Sequence, residues 1–339
     1  MSHTVRFAAL CLSVLFVAAA CNAASTPVPS TGGSVPATTV KPSGAASTPN
    51  GSVTGTPTTS TPPGTPVGSP VATVPDAQLI LPGNLFICSD LPYPPQEFFD
   101  EQGTPIGSDI EIGQEIGARL SLIPHIENTI FDTIVPALLG GKCDIIISAQ
   151  NITAARIKQV SMIPFFQAGQ SFVVAKGNPA GIKTQDDLCG KTIAAESSTT
   201  EVDYLSGTKG SDYEGKGLTQ ACTSKGKAAI TVKTFTKDND ALLALQTAKV
   251  DAYFADSPVA GYYTVQSPDK FELSGLTLGV ALEGISAPKD DGHKDLLTAV
   301  QQSLVSMIND GTYLQILTKY GVESGAVTAG DAGTVNKLK

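Results

Sequence analysis

From residue 85 to residue 255 the chain alternates short apolar runs with segments whose apolar residues recur at helical spacing. Leu85 to Cys88 is a short apolar strand, and Ile110, Ile112, Ile116 and Leu120 mark a helix over 110–120. Phe131 to Leu139 reads as a second helix, stopped by Gly140-Gly141 and followed by the strand Ile145-Ile146-Ile147. Phe172 to Ala175 is a further strand. The cycle then repeats, with Lys191 to Ala195 as strand, Thr200 to Leu205 as helix and Ile230 to Phe235 as strand. A helix at 240–248 and the strand 251–255 complete a second unit, and helices near 295–309 and 313–319 close the pattern.

Near-continuous apolar strands separated by helices indicate parallel sheets covered on both faces. Two such units joined by extended connections predict an α/β, bilobal protein. Its cleft lies at the strand C-termini, where ligands bind in sheets of this kind. One strand ends abruptly in polarity: DIIISAQNITAARIKQV (144–160) passes from three isoleucines to Ser148, Ala149, Gln150 and Asn151, with Arg156 in an apparent helix beyond.

The N-terminus has a different character. Arg6 precedes an apolar run from Phe7 to Ala20, shorter than the about 20 residues of a membrane span. A basic start, a short apolar core and the small residues Ala18-Ala19-Ala20 make a signal peptide over 1–20. Cys21 directly after them resembles a bacterial lipoprotein box, which makes Cys21 the lipid-bearing first residue of the mature chain. Ordinary secretion with Cys21 incidental is the plainer alternative. Residues 21–76 are almost wholly Ser, Thr, Pro, Gly, Ala and Val, with Lys41 the only charge before Asp76. A stretch without large apolar side chains predicts a disordered tether. An inert exported leader would have the same composition.

The remaining roughly 250 residues suffice for two lobes with cores of their own. A net charge of −9 without Lys/Arg runs excludes nucleic acid as a natural partner. The histidines are His3, His125 and His293, and no CxxC spacing occurs, so neither metal nor cofactor is expected. Cys189 and Cys222 bracket a glycine- and lysine-rich region and read as a disulfide in an oxidising compartment. Cys88 and Cys143 either pair across neighbouring strands or stand as buried free thiols.

Six stretches in order carry a resemblance. They are LPYPPQEFFD (91–100), GSDIEIGQEIGARL (107–120), the 134–160 segment, DDLCGKTIAAESSTTEVDYL (186–205), ALLALQTAKVDAYFADSPVAGYY (241–263) and GTYLQILTKYGV (311–322). Together they resemble the extracellular solute-binding proteins of the polar amino-acid family, which serve ATP-driven importers. The resemblance implies a type II periplasmic-binding-protein-like fold. Lobe 1 would comprise 77–170 and 278–325, lobe 2 171–277, with a flexible tail at 326–339. It also implies a monomeric receptor that hands a free amino acid to a membrane permease.

By the same resemblance, Arg156 takes the ligand carboxylate and Asp256 its ammonium. Ser148, Ala149 and Asn151 offer donors to the carboxylate, as does Thr200 at the start of a second-lobe helix. Tyr93 and Phe131 sandwich the ligand side chain. Duller roles exist for each: a solvated helix arginine, a helix N-cap for Asp256, and core packing for the two rings. This chain departs from the family in having Ala149 for Gly, Asn151 for Thr and Ala154-Ala155 for Pro-Glu. Glu196, with Asp90 projecting to the same end of the pocket, adds two carboxylates beyond those balancing a zwitterion. That surplus favours arginine, lysine or histidine, unless Glu196 faces solvent or a neighbouring lysine. A dehydratase of prephenate-like substrates and a ligand-binding sensor are the competing functions. The dehydratase would need an acid or base in the cleft, for which Glu196 is the candidate.

Overall fold

The computed structural model describes residues 70–338. The signal peptide over 1–20, Cys21 and the tether up to residue 69 lie outside the described residues.

The first lobe begins with β1 (Asn84–Ser89), the short pair β2 (Phe98–Phe99) and β3 (Pro105–Ile106), and α1 (Ser108–Arg119). β4 (Ile123–Asn128), α2 (Phe131–Leu139) and β5 (Ile145–Ile146) follow. A 16-residue strand, β6 (Val160–Ala175), leads into the second lobe. That lobe contains β7 (Thr192–Glu196), α3 (Thr200–Ser206), α4 (Leu218–Ser224), β8 (Thr231–Phe235), α5 (Asp238–Gln246), β9 (Ala252–Asp256) and α6 (Ser257–Gln266). The 18-residue β10 (Phe271–Pro288) returns to the first lobe, where α7 (Lys294–Asp310), α8 (Thr312–Lys319) and α9 (Ala329–Ala332) complete it.

One eight-stranded sheet spans both lobes in the order β4-β1-β5-β10-β6-β9-β7-β8. Each wing is parallel, β4-β1-β5 on one side and β9-β7-β8 on the other. The extended connections of the sequence reading are β6 and β10 themselves, which pair antiparallel along most of their lengths. Their register shifts between Leu278 and Val280 and between Glu283 and Gly284, so the pair bends where it passes between lobes. Both strands feed both cores: Ile163 and Ile285 pack in the first lobe, Phe172 and Leu278 in the second.

Two expectations are corrected at the ends. Residues 326–338 are not a loose tail. Val327 and Ala332 are buried, the Val327 N–H donates to the Tyr313 hydroxyl at 3.0 Å, and Asn336 Oδ1 accepts the Met162 N–H at 2.8 Å. Their small side chains, which make the segment look loose in the sequence, fit a close seat against α7 and β6. The end of the expected tether is docked as well. The Val71 N–H donates to the Arg119 carbonyl at 3.0 Å, and Ala72 and Val74 pack on the first core.

Both cysteine pairs are disulfides. Cys189–Cys222 joins the segment before β7 to α4, as its bracketing suggested. Cys88–Cys143 resolves the open alternative in favour of a bond. It ties β1 to the loop before β5, two strands whose C-terminal ends carry Asp90 and Ser148.

Candidate functional site

Four parallel strands end at the cleft, and each delivers a polar residue to it. β1 leads to Asp90, β5 to Ser148, β7 ends at Glu196 and β9 ends at Asp256. A small cavity lies between them. All ten residues selected from the sequence line it, and so do Glu97, Thr199 and Glu201, which that reading passed over.

The lobes meet through direct bonds around this cavity. The Tyr93 hydroxyl donates to Asp256 Oδ2 at 3.0 Å, and Asn151 Nδ2 donates to Thr200 Oγ1 at 2.9 Å. Arg156 Nη2 donates to the Ser198 carbonyl at 3.1 Å, and Ser197 Oγ to Asp132 Oδ2 at 2.7 Å. This is a closed arrangement.

Arg156 does not stand in a helix of ordinary length. It opens a three-residue 3-10 turn, Arg156–Lys158, and β6 begins at Val160, which leaves no room for further turns. Its Nη1 donates to the Asn151 carbonyl at 2.8 Å, and its guanidinium lies 5.3 Å from the Phe131 ring centre. Burial pushes its pKa down while Glu201, Asp203 and Asp256 push it up, so the group stays charged.

Asp256 precedes α6, yet its side chain makes no capping bond. Its carboxylate turns into the cavity instead, where Oδ1 is buried without a protein partner. Burial, then Glu201 and Glu283, hold its pKa well above the ordinary carboxylate range, against the bond from Tyr93. Glu201 Oε1 and Glu97 Oε2 are likewise buried and unpartnered, and burial raises both groups. Buried carboxylates without partners are unfavourable. A cation entering between them would relieve that cost.

The donor loop differs from its expected role at two positions. Ala149 keeps its N–H but spends it on Asp109 Oδ2 at 2.9 Å, and it adopts φ +42°. The Ser148 hydroxyl accepts the Asp90 N–H and donates to Glu97 Oε1 at 2.8 Å. These two groups therefore hold the site's frame in this state. Gln150 turns away from the cavity, its Oε1 accepting the Ser286 hydroxyl at 2.6 Å.

At the far end, Asp90 Oδ2 accepts the Phe131 N–H at 2.9 Å, and Oδ1 accepts Lys237 Nζ from the second lobe. Burial pushes Glu196 up to about 11, helped by Asp238 and Asp90 and opposed by Lys237. The end read as two free carboxylates is thus an Asp90–Lys237 ion pair beside a protonated Glu196. A neighbouring lysine does enter the site, although its bond goes to Asp90.

The family model for bacterial extracellular solute-binding proteins, family 3, matches residues 85–323. The chain belongs to that family. It is similar to the arginine-binding protein ArgT of Corynebacterium glutamicum, with 27% identity over 74% of this chain and 81% of that one. Among solved structures it is similar to an ancestral arginine-binding protein bound to glutamine, with TM-score 0.62, 31% identity and coverage of 71% and 99%. It is also similar to AncCDT-1, an ancestral amino acid-binding protein and precursor of cyclohexadienyl dehydratase, with TM-score 0.60, 28% identity and coverage of 70% and 95%.

Membership accounts for the two-lobed frame but not for the acidic residues missed in the cavity or for Lys237 beside it. Glu97 and Glu201 lay inside stretches that carried the resemblance, QEFFD and STTEVD, and an acidic residue beside a cleft-facing threonine was a usable signal. Lys237 had none, since it precedes α5 and meets Asp90 and the Leu91 carbonyl only by crossing between lobes.

Proposed function

We propose that this solute-binding protein captures a free amino acid with a cationic side chain and delivers it to the membrane permease of an ATP-driven importer. One observation supports this most. Five carboxylates (Asp90, Glu97, Glu196, Glu201, Asp256) line the cavity against a single lining cation, Arg156. A zwitterion whose carboxylate meets Arg156 on one lobe and whose ammonium meets Asp256 on the other favours closure by its differential affinity for the closed state. The buried acidic oxygens left without a protein donor, Asp256 Oδ1, Glu201 Oε1 and Glu97 Oε2, then favour a ligand that brings a further cationic donor group. Arginine, lysine and histidine have that chemistry, and the arginine-binding relatives accord with it.

The protein acts in this reading as a monomeric binder, not an enzyme, held to the outer face of the cell membrane by lipid on Cys21. A dehydratase built on the same frame is the second reading. The protonated Glu196 in the cavity is the group that would serve it as an acid.

Calorimetric titration against the common amino acids tests the proposal. One basic amino acid should bind at micromolar affinity or tighter, and Arg156→Ala and Asp256→Ala should each weaken it at least a hundredfold. Undiminished affinity in either variant would remove the assigned site. Turnover of prephenate, followed by its absorbance, would instead establish the dehydratase.

A further inference from the structure

Lys237 belongs to the second lobe, directly before α5, yet its ammonium makes its bonds in the first. Nζ donates to Asp90 Oδ1 and to the Leu91 carbonyl, the latter at 3.0 Å. Asp90 is buried, and with Phe131 N–H on its other oxygen each of its oxygens already carries a donor. Lys237 is one quarter exposed, so its ammonium has a short path to water. The opposite end of the cavity is different. There Asp256 Oδ1 and Glu201 Oε1 have no protein donor. Ligand cations therefore meet an uncontested acidic end and a contested one.

We propose that Lys237 is a specificity-determining residue: a built-in competitor that occupies the place of the ligand's cationic side chain at Asp90. A neutral ligand leaves the Asp90–Lys237 pair intact. A cationic ligand exchanges one cation for another, with Lys237 withdrawing to solvent, and so gains less than an unpaired Asp90 would give it. The pair thus lowers the preference for cationic over neutral amino acids. This inference rests on the reading of an amino-acid ligand held between Arg156 and Asp256.

The test compares binding of L-arginine and L-glutamine by the wild-type protein and by Lys237→Met, which keeps most of the stem, with Lys237→Gln as a second neutral variant. The ratio of the two affinities should move at least tenfold toward arginine in both variants, and Lys237→Arg should restore the wild-type ratio. If Lys237 merely clamps the lobes together, both ligands weaken alike and the ratio stays put, which overturns the inference. A ratio that moves toward glutamine overturns it as well. Should the wild-type protein bind only neutral amino acids, the cationic-ligand reading fails, while new arginine binding by Lys237→Met still supports the role of Lys237. If no variant binds either amino acid, both fail.

Discussion

The Tyr93 hydroxyl donates to Asp256 Oδ2 at 3.0 Å and accepts the Asp256 backbone N–H at 3.1 Å, so one phenol closes a two-bond clasp between the lobes. Tyr93 is buried, and its ring lines the same cavity as the carboxylate it holds. Tyr93→Phe keeps the ring and removes both bonds. It leaves Asp256 short of a donor in the closed form only, which costs about 1–3 kcal/mol. We expect ligand affinity to fall by roughly tenfold or more and small-angle scattering to show a larger open fraction. Equal affinity in the variant would mean that the clasp plays no part in closure.

Ala149 holds φ +42° without being glycine. A left-handed conformation costs an alanine roughly 1–2 kcal/mol, and glycine almost nothing. Ala149→Gly keeps the N–H that bonds Asp109 and gives up only one methyl. The variant should be more stable by about 1 kcal/mol, a rise in Tm of roughly 2–4 °C. A lower Tm would show that the methyl's packing outweighs the backbone strain.

Stability should fall as pH rises toward neutrality. Burial raises Asp109 from 3.8 to about 6 and Asp238 from 3.8 to about 7. Each carboxyl binds its proton more tightly folded than unfolded. Its contribution is complete below about pH 4 and is lost as pH rises through the folded value. Asp310 and Asp331 act oppositely, since bonds from Arg119 and Lys337 hold both at about 2. Their contribution is lost as pH falls from about 4 toward 2. Thermal melting across pH 2–8 should therefore show its highest Tm near pH 4–5. A Tm that climbs steadily from pH 5 to 8 would contradict this assignment of protons.

The Cys88–Cys143 bond closes a 55-residue separation beneath the strands that carry Asp90 and Ser148. Replacing both cysteines by serine should lower stability by about 2–4 kcal/mol in a denaturant titration. An unchanged midpoint would mean that the surrounding core alone holds β1 to β5.

Residues 326–338 complete the first lobe, with Val327 and Ala332 in its core and Gln301 Nε2 donating to the Ala332 carbonyl at 2.9 Å. Ending the chain after residue 325 uncovers this surface and leaves the Tyr313 hydroxyl without the Val327 N–H. We expect a loss of roughly 2–4 kcal/mol. Equal melting of the shortened and intact proteins would return these residues to the status of a loose tail.

The sequence by itself determined most of the elements. Short apolar runs such as 145–147, bounded by turn and polar residues, fit buried strands. Helical spacing set α2 at Phe131–Leu139 to the residue, because Gly140-Gly141 ends it locally. Arg156 and Asp256 were singled out through the family resemblance, since the residues alone read equally as a solvated arginine and a helix N-cap. The pairing of β6 with β10 had no local signal, since two strands a hundred residues apart specify each other only through the sheet they share. The same holds for Lys237 at Asp90 and for α9 on the first lobe. Each is a contact between distant segments, decided by where packing brings them together. Even the charge of the site depends on this. Glu196 reads as a carboxylate in sequence, but burial beside Asp238 and Asp90 keeps its proton on, and burial is a property of the tertiary structure alone.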